Sequence, residues 1–425
     1  MTKACKGITL TIGESLSPII YSLRHYQAEY AVFICTDESR HMLDQVLEEY
    51  PIPPSKYKVF EVQDDPGQIG RLIHSYYSAF RWLRDYVGLA SEEIVTDPTP
   101  GRKWMSTGAT MIASYLGLNI TYVDVKYKQG RPDPTTMKVI PLGNAYDQTG
   151  FLETEKAREY FNKSEFKLAW DILKQITPST SPLKDLYEGL TKIIEAFYKW
   201  DLFTHYKEDI SKDFSEGREC LERYLHTEKE KGGLNDFLEK VKQKEQLAKA
   251  LLESARPNLE QVIDLLLNAD RRISQGKYDD ATARLYRTLE LIEQYYLKDI
   301  IGNTSKPSYK KLDNALRQRF REIKVQLPSK IALEDGYLLL KLLKHQAGEE
   351  VILKIKDKKV INRFGDVTKA RNDSILAHGF EPISEKDAKR FSAKVQDLLR
   401  KLIGGKFEKL RRNLAFPEFP ALFTK

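Results

Sequence analysis

The feature that most constrains this chain is a change of period near residue 145 of its 425. Before that point short β-rich runs alternate with helical stretches; after it the pattern is nearly all helical. "GITLTI" (7–12), "YAVFICT" (30–36), "YKVFEV" (57–62), "EEIVTD" (92–97) and "ITYVDV" (120–125) read as strands. Between them the apolar spacing predicts helices over 17–28, 37–50, about 68–86 and about 102–116. The strands are apolar throughout, as expected when helices cover both faces of a parallel sheet. The expectation is an open, doubly wound, Rossmann-like α/β domain. "TMKVIPL" (136–142) follows a "KQGRPDP" turn, which predicts an antiparallel last pair.

Beyond "GNAYDQTG" (143–150), Gly and Pro fall mainly between helical runs rich in Lys, Glu and Leu. A long charged helix pair is expected over 183–230, and a compact helical unit from near Pro257 to near Gly404. The expected organisation is an α/β domain over 1–147, a helical linker or insert over 148–255, and an all-α domain over 256–425. The tail "NLAFPEFPALF" (413–423) is apolar but broken by prolines, so it is expected to pack on a surface.

Two or three domains suit this length. The composition, 41% hydrophobic and 30% charged, is that of a soluble globular protein. No apolar run approaches the roughly 18–20 residues of a membrane span, and the first residues lead straight into a strand without a signal core. Cys5, Cys35 and Cys220 are few and scattered, which fits a reducing cytoplasm and offers no metal-ligand spacing. The net charge of +7 permits an anionic partner without demanding one.

In open α/β sheets, ligands bind where strand C-termini meet helix N-termini at the switch in strand order. Three segments have that position: "GESLSP" (13–18), "TDES" (36–39) and "DPTPGRKWMS" (97–106). Each offers hydroxyls and backbone N–H groups suited to an anion. Gly101 permits close backbone approach and Lys103 supplies a charge. Plain βα loops capped by Ser and Thr have the same composition. Neither a G-x-G-x-x-G nor a G-x-x-x-x-G-K-[ST] loop is present, which weakens dehydrogenase and nucleotide-hydrolase readings.

The segment 97–106 resembles the Asp-x-Thr-Gly-Gly-Thr-Lys-x-Met-Ser motif of CARF domains, the CRISPR-associated Rossmann-like sensors. Asp97, Thr99, Gly101, Lys103, Met105 and Ser106 match; Pro100 and Arg102 depart from it. The resemblance implies a dimer that binds cyclic oligoadenylate in a cleft on its two-fold axis. It puts Thr99, Gly101, Lys103 and Ser106 on that cleft, with Gly13, Ser15 and Thr36 from the neighbouring loops. Arg102, in place of the usual Thr, would add a bidentate phosphate contact.

In the helical half, "RNDSILAHGF" (371–380) holds Arg371 and His378 seven residues apart. On one continuous helix over 367–378 they would share a face, roughly 10 Å apart along the axis. That suits two groups flanking a phosphodiester. The spacing alone is about what chance supplies, and taken alone it favours the plainer reading, an exposed helix face ending at a Gly379 cap. Context adds weight: Asn372 is a poor helix former, Ile375 and Leu376 are apolar, and "YDDATARLYRTLELIEQYYL" (278–297) carries Tyr286, Arg287 and Glu290.

Together these segments resemble the HEPN ribonuclease domains fused to CARF sensors, and the chain is similar in order to the CARF–HEPN accessory ribonucleases of type III CRISPR systems. The resemblance implies a metal-independent endoribonuclease acting on single-stranded RNA, with Arg371, Asn372 and His378 as its site, shared across a homodimer. His378 suits proton transfer and Arg371 the phosphorane charge. Cyclic tetra- or hexa-adenylate would be the activator, no cofactor or metal is implied, and the products would be 2′,3′-cyclic phosphate and 5′-OH ends. Three alternatives remain. A ligand-sensing DNA-binding regulator would use the basic run "KFEKLRR" (406–412). A metal-dependent nuclease would use "EEVILKIKDKK" (349–359). A catalytically dead sensor would act only by binding a partner.

Overall fold

In the computed structural model, the described residues are 5–128, 131–143, 149–176, 181–227, 233–324, 326–356, 359–376 and 379–422. They form two compact units, one of the residues up to Leu152 together with Ile176, the other of the remaining described residues from Glu153 onward.

The first unit runs β1 (Gly7–Thr11), α1 (Leu16–Tyr26), β2 (Tyr30–Thr36), α2 (Arg40–Glu49), β3 (Tyr57–Val62), α3 (Ile69–Arg81), β4 (Ile94–Asp97), α4 (Lys103–Tyr115) and β5 (Asn119–Asp124). A small hairpin of β6 (Tyr127–Lys128) and β7 (Arg131–Pro132) then leads to β8 (Lys138–Pro141). The sheet order is β3-β2-β1-β4-β5-β8, parallel throughout except for β8 against β5. The predicted doubly wound sheet and its antiparallel last pair are both present. The strand order reverses between β1 and β4, so the loops after these strands flank the switch point.

Alternation along β2 shows why its strand is apolar throughout. Ala31, Phe33 and Cys35 join Ile8, Leu10, Ile19, Leu23 and Leu43 on one face. Val32 and Ile34 join Leu72, Phe80, Met105 and Ile112 on the other. A central strand with helices on both sides has no solvent face on which to place polar residues. Two of the exceptions, Thr9 and Thr96, satisfy each other by a 2.8 Å hydroxyl bond between β1 and β4.

The second unit opens with α5 (Phe151–Asn162), α6 (Phe166–Leu173), α7 (Ser181–Asp201), α8 (Ser211–Thr227) and α9 (Leu234–Glu253). The expected helix pair is α7 and α8. Then follow α10 (Leu259–Ser274) and α11 (Tyr278–Ile301), which pack on each other. Next come α12 (Asn314–Lys324), α13 (Leu333–Leu342) and α14 (Gln346–Val351). An antiparallel pair, β9 (Ile352–Lys356) and β10 (Lys359–Asn362), precedes α15 (Gly365–Asn372), α16 (Glu385–Ile403) and α17 (Gly405–Leu414). The strand-like run at 349–359 therefore divides between the end of α14 and a short antiparallel pair in a helical region; its residues 357 and 358 lie outside the described ones. Asn258 caps α10 by accepting from Gln261 N–H at 2.8 Å, and Ser384 caps α16 by accepting from Asp387 N–H at 3.1 Å.

A buried polar cluster ties α7 to α10. Asp264 accepts from Trp200 Nε1 (3.1 Å) and Tyr206 OH (3.1 Å), with His205 Nε2 at 3.0 Å. Asp201 pairs with Arg271 at 2.8 Å and with Arg272. Polar groups this deep are tolerated because their partners replace water.

The tail packs on the helical unit, as expected, but inserts one ring into its core. Phe419 is 1% exposed and lies against Phe161 and Phe237, while Asn162 exchanges two hydrogen bonds with the Phe419 backbone. Phe416 packs on Phe166, Phe197 and Trp200. The prolines prevent a helix but leave an extended chain that delivers two Phe rings to one helical core.

Candidate functional site

The loops at the switch point meet through two glycines. A Cβ on Gly13 would lie 1.9 Å from Pro100 O, and one on Gly101 would lie 2.5 Å from Thr11 Cβ. Only residues without side chains let the β1 and β4 loops approach so closely. Both positions thus act as clearance, holding the two helix entrances side by side.

Most hydroxyls that the sequence marks here are used internally. Thr99 donates through N–H and Oγ1 to Asp97 Oδ1, at 2.9 and 2.5 Å, and its Oγ1 accepts from Val123 N–H at 2.9 Å. Burial pushes the Asp97 carboxyl up, and the Thr99 bonds offset this only in part. Ser106 Oγ donates to Pro98 O at 2.6 Å. Thr36 is buried in a mutual turn with Ser39, bonding through both backbone and hydroxyl. These three residues shape the loops from within.

Arg102 is also engaged. Its guanidinium pairs with Glu38 at 2.6 Å and with Asp64, the loop acids after β2 and β3. Exposed Lys103 makes no ion pair among the described residues. Lys103 opens α4 and Ser15 precedes α1; neither helix has a side-chain hydrogen bond at its N-cap. Two helix N-termini whose N-cap side chains make no capping bond among the described residues therefore flank the switch point, with Ser15 and Lys103 beside them. A recess of about 460 Å³ adjoins the start of α4, lined by Thr99, Ser106, Met111, Tyr122 and Leu142 among others.

In the second unit, α15 ends at Asn372, not beyond His378. The single helix over 367–378 is therefore not formed, and Gly379 does not cap it. Ser374 terminates α15 by turning its hydroxyl back to Arg371 O at 2.7 Å. Gly379 N–H then donates to Ser374 O, and Glu381 N–H to Asp373 O. Gly379 is needed because a Cβ there would meet Asp373 O at 2.0 Å. His378 and Ala377 lie outside the described residues. Ile375, Leu376 and Phe380 are exposed apolar side chains around them in sequence.

Arg371 sits in the last turn of α15 with its guanidinium 4.7 Å from the Tyr286 ring centroid on α11. Nη1 donates to Asn372 Oδ1 at 3.1 Å, and buried Nε has no partner among the described residues. No carboxylate among those residues pairs with Arg371. Burial pushes the Tyr286 hydroxyl up, Glu290 adds to this, and Arg371 opposes it. Tyr286 and Asn372 line a cavity of about 200 Å³ with Tyr337, Asn362 and Thr368. Arg287 pairs with Glu290 at 2.8 Å. Glu293, which the sequence does not single out, is 2% exposed; burial, then Glu290 and Asp335, push it up to about 9. Its only sequence signal is a Glu within an apolar stripe.

The basic run 406–412 lies inside α17, where Phe407 and Leu410 are buried. Among the described residues no group of three His, Cys, Asp or Glu could hold a metal ion, and no helix is long and apolar enough to cross a membrane.

Comparison with known proteins decides the family. The Csm6 HEPN domain profile matches residues 254–402, and the Csm6 6H domain profile matches residues 150–248, together more than half of the chain. The chain belongs to the Csm6 family. As a Csm6 protein it is a CARF–HEPN accessory endoribonuclease of type III CRISPR systems, and family membership implies activation by cyclic oligoadenylate. Its fold is similar to that of Enterococcus italicus Csm6 bound to cyclic hexa-2′-fluoro-hexa-dAMP, with TM-score 0.52 and 14% identity over 97% of this chain and 98% of that one. Can2 from Sulfobacillus thermosulfidooxidans, in complex with cyclic tetra-adenylate, matches at TM-score 0.24 and 13% identity, covering 47% of this chain and 67% of that one. No curated protein sequence matches the chain.

Proposed function

We propose that this Csm6 cleaves single-stranded RNA without a metal, using Arg371, Asn372 and His378 from both copies of a homodimer. The observation that carries this reading is the state of Arg371: a guanidinium resting on Tyr286, free of any described carboxylate and hydrogen-bonded to Asn372. Such a cation is available for the negative charge of a phosphorane. In the reaction the 2′-OH loses its proton to a base as the 2′-oxygen bonds to phosphorus. The bond to the 5′-oxygen breaks, and an acid protonates that oxygen. One His378 serves as base and the partner copy's as acid, leaving 2′,3′-cyclic phosphate and 5′-OH ends. Exposed Ile375, Leu376 and Phe380 supply apolar surface beside the site for that pairing.

Cyclic oligoadenylate, tetra- or hexa-adenylate, would bind at the switch point through Lys103, Ser15 and the first-turn N–H groups of α1 and α4. Gly13 and Gly101 give clearance, while Thr36, Thr99 and Ser106 hold the loops in shape. Arg102 is held back by Glu38 and Asp64. Activation requires tighter binding to the cleavage-competent arrangement than to the idle one.

The test is RNA cleavage in EDTA, with and without cyclic tetra- and hexa-adenylate, followed by end-group analysis. Ligand-dependent cleavage that disappears in His378→Ala and Arg371→Ala is expected. Cleavage that survives His378→Ala unchanged would reject the site, and full cleavage without ligand would reject the sensor.

A further inference from the structure

On α11, Arg287, Gln294 and Lys298 follow at intervals of seven and four residues, which brings them within roughly 40° of one another around the helix. They border a recess of about 390 Å³, closed by Arg256 ahead of α10 and by Asn303 and Ser305 after α11. No carboxylate is among its described lining residues. Arg256 stacks 4.8 Å above the Tyr206 ring and donates to Tyr206 O. Lys298 Nζ donates to Pro257 O at 3.1 Å and lies 4.6 Å from the Tyr295 ring centroid. Both cations are thus fixed by neutral partners, and of the three only Arg287 has a described carboxylate neighbour, Glu290. A recess lined by one sign of charge concentrates anions.

The recess also has a defined relation to the nuclease site. Arg287 adjoins Tyr286, on which Arg371 rests, and Lys298 lies ~18 Å farther along the α11 axis than Tyr286. We propose that this recess binds a backbone phosphate of the RNA strand whose scissile phosphate is held at Arg371. The proposal rests on the ribonuclease reading above and adds a positioning site to it. Phosphate-binding cations set register on a strand without reading its bases.

The test measures binding of a fluorescein-labelled single-stranded RNA by the full-length His378→Ala protein, which leaves the RNA intact, across a series of salt concentrations. Neutralising one phosphate-binding cation lowers the slope of log affinity against log salt by roughly 0.7. Lys298→Gln is expected to lower it by about 0.7 and the Arg256→Gln/Lys298→Gln pair by about 1.4, with several-fold weaker binding. Lys298→Arg restores the slope, and Lys409→Gln, on the exposed side of α17, leaves it unchanged. An unaltered slope in Lys298→Gln, or an equal drop in Lys409→Gln, overturns the recess as a phosphate site. Absence of RNA binding by the His378→Ala parent overturns the ribonuclease reading itself, and the recess proposal with it.

Discussion

The Arg371 guanidinium lies 4.7 Å from the centroid of the Tyr286 ring, so the cation proposed for the nuclease site is carried by an aromatic face instead of a carboxylate. A carboxylate would neutralise the charge that the reaction needs. An aromatic face orients the guanidinium while leaving its charge intact. A partly desolvated pair of this kind contributes about 0.5–2 kcal/mol.

Tyr286→Leu should therefore slow activated RNA cleavage by roughly two- to thirty-fold, with Tyr286→Phe close to wild type. Affinity for the cyclic oligoadenylate should not change. Single-turnover cleavage rates and isothermal titration of the ligand check both halves.

At the switch point, Lys103 has no ion-pair partner among the described residues, and Arg102 is held by Glu38 and Asp64. Lys103→Ala should weaken cyclic oligoadenylate binding by about ten- to a hundredfold, the scale of a hydrogen bond to a charged group. Arg102→Ala should cost less. Glu38→Gln should tighten binding, because it removes one of the two acids that hold Arg102 and an acid from the anion's surroundings. Equal weakening by Arg102→Ala and Lys103→Ala would mean that the acids release Arg102 to the ligand.

Glu293 offers a pH-dependent stability. Its folded-state value, about 9, stands above the ordinary 4.5 because burial and nearby acids disfavour its charge. The folded protein thus holds a proton that the unfolded chain has released between these values. This stabilisation is complete below the unfolded value and is lost as pH rises through the folded one, at up to about 1.4 kcal/mol per pH unit. Glu293→Gln should remove the dependence. Its melting temperature should exceed wild type by more at pH 8 than at pH 5, read by calorimetry across that range.

Gly101→Ala should destabilise the α/β unit by about 1–3 kcal/mol, since its Cβ would sit 2.5 Å from Thr11 Cβ. The expected readout is earlier loss of α/β-unit protection in hydrogen exchange, with the helical unit unchanged.

The segment proposed for the nuclease site is legible in composition but not in geometry. The sequence marks Arg371, Asn372 and Tyr286, and Arg371 does meet both of the others. The single helix through His378 does not form: Ser374 diverts its hydroxyl to Arg371 O, and the helix ends at Asn372. A serine following Asn-Asp allows either outcome locally, and the close passage of Gly379 over Asp373 belongs to only one of them.

What the sequence determined by itself is the succession of elements, because a period of two or of 3.6 is a property of neighbouring residues alone. The six strands of the sheet, the loops that follow them and the helical runs of the second half all follow from it. Only the tertiary structure decided which polar groups remain free. Parallel strands bring loops from residues 38, 64 and 102 to one sheet edge, where Arg102 finds two acids and Lys103 none among the described residues. The same assembly consumes the hydroxyls of Thr36, Thr99 and Ser106 and buries the Phe419 ring in the helical core. Pairing across such distances depends on strand order and packing, and no local period encodes it.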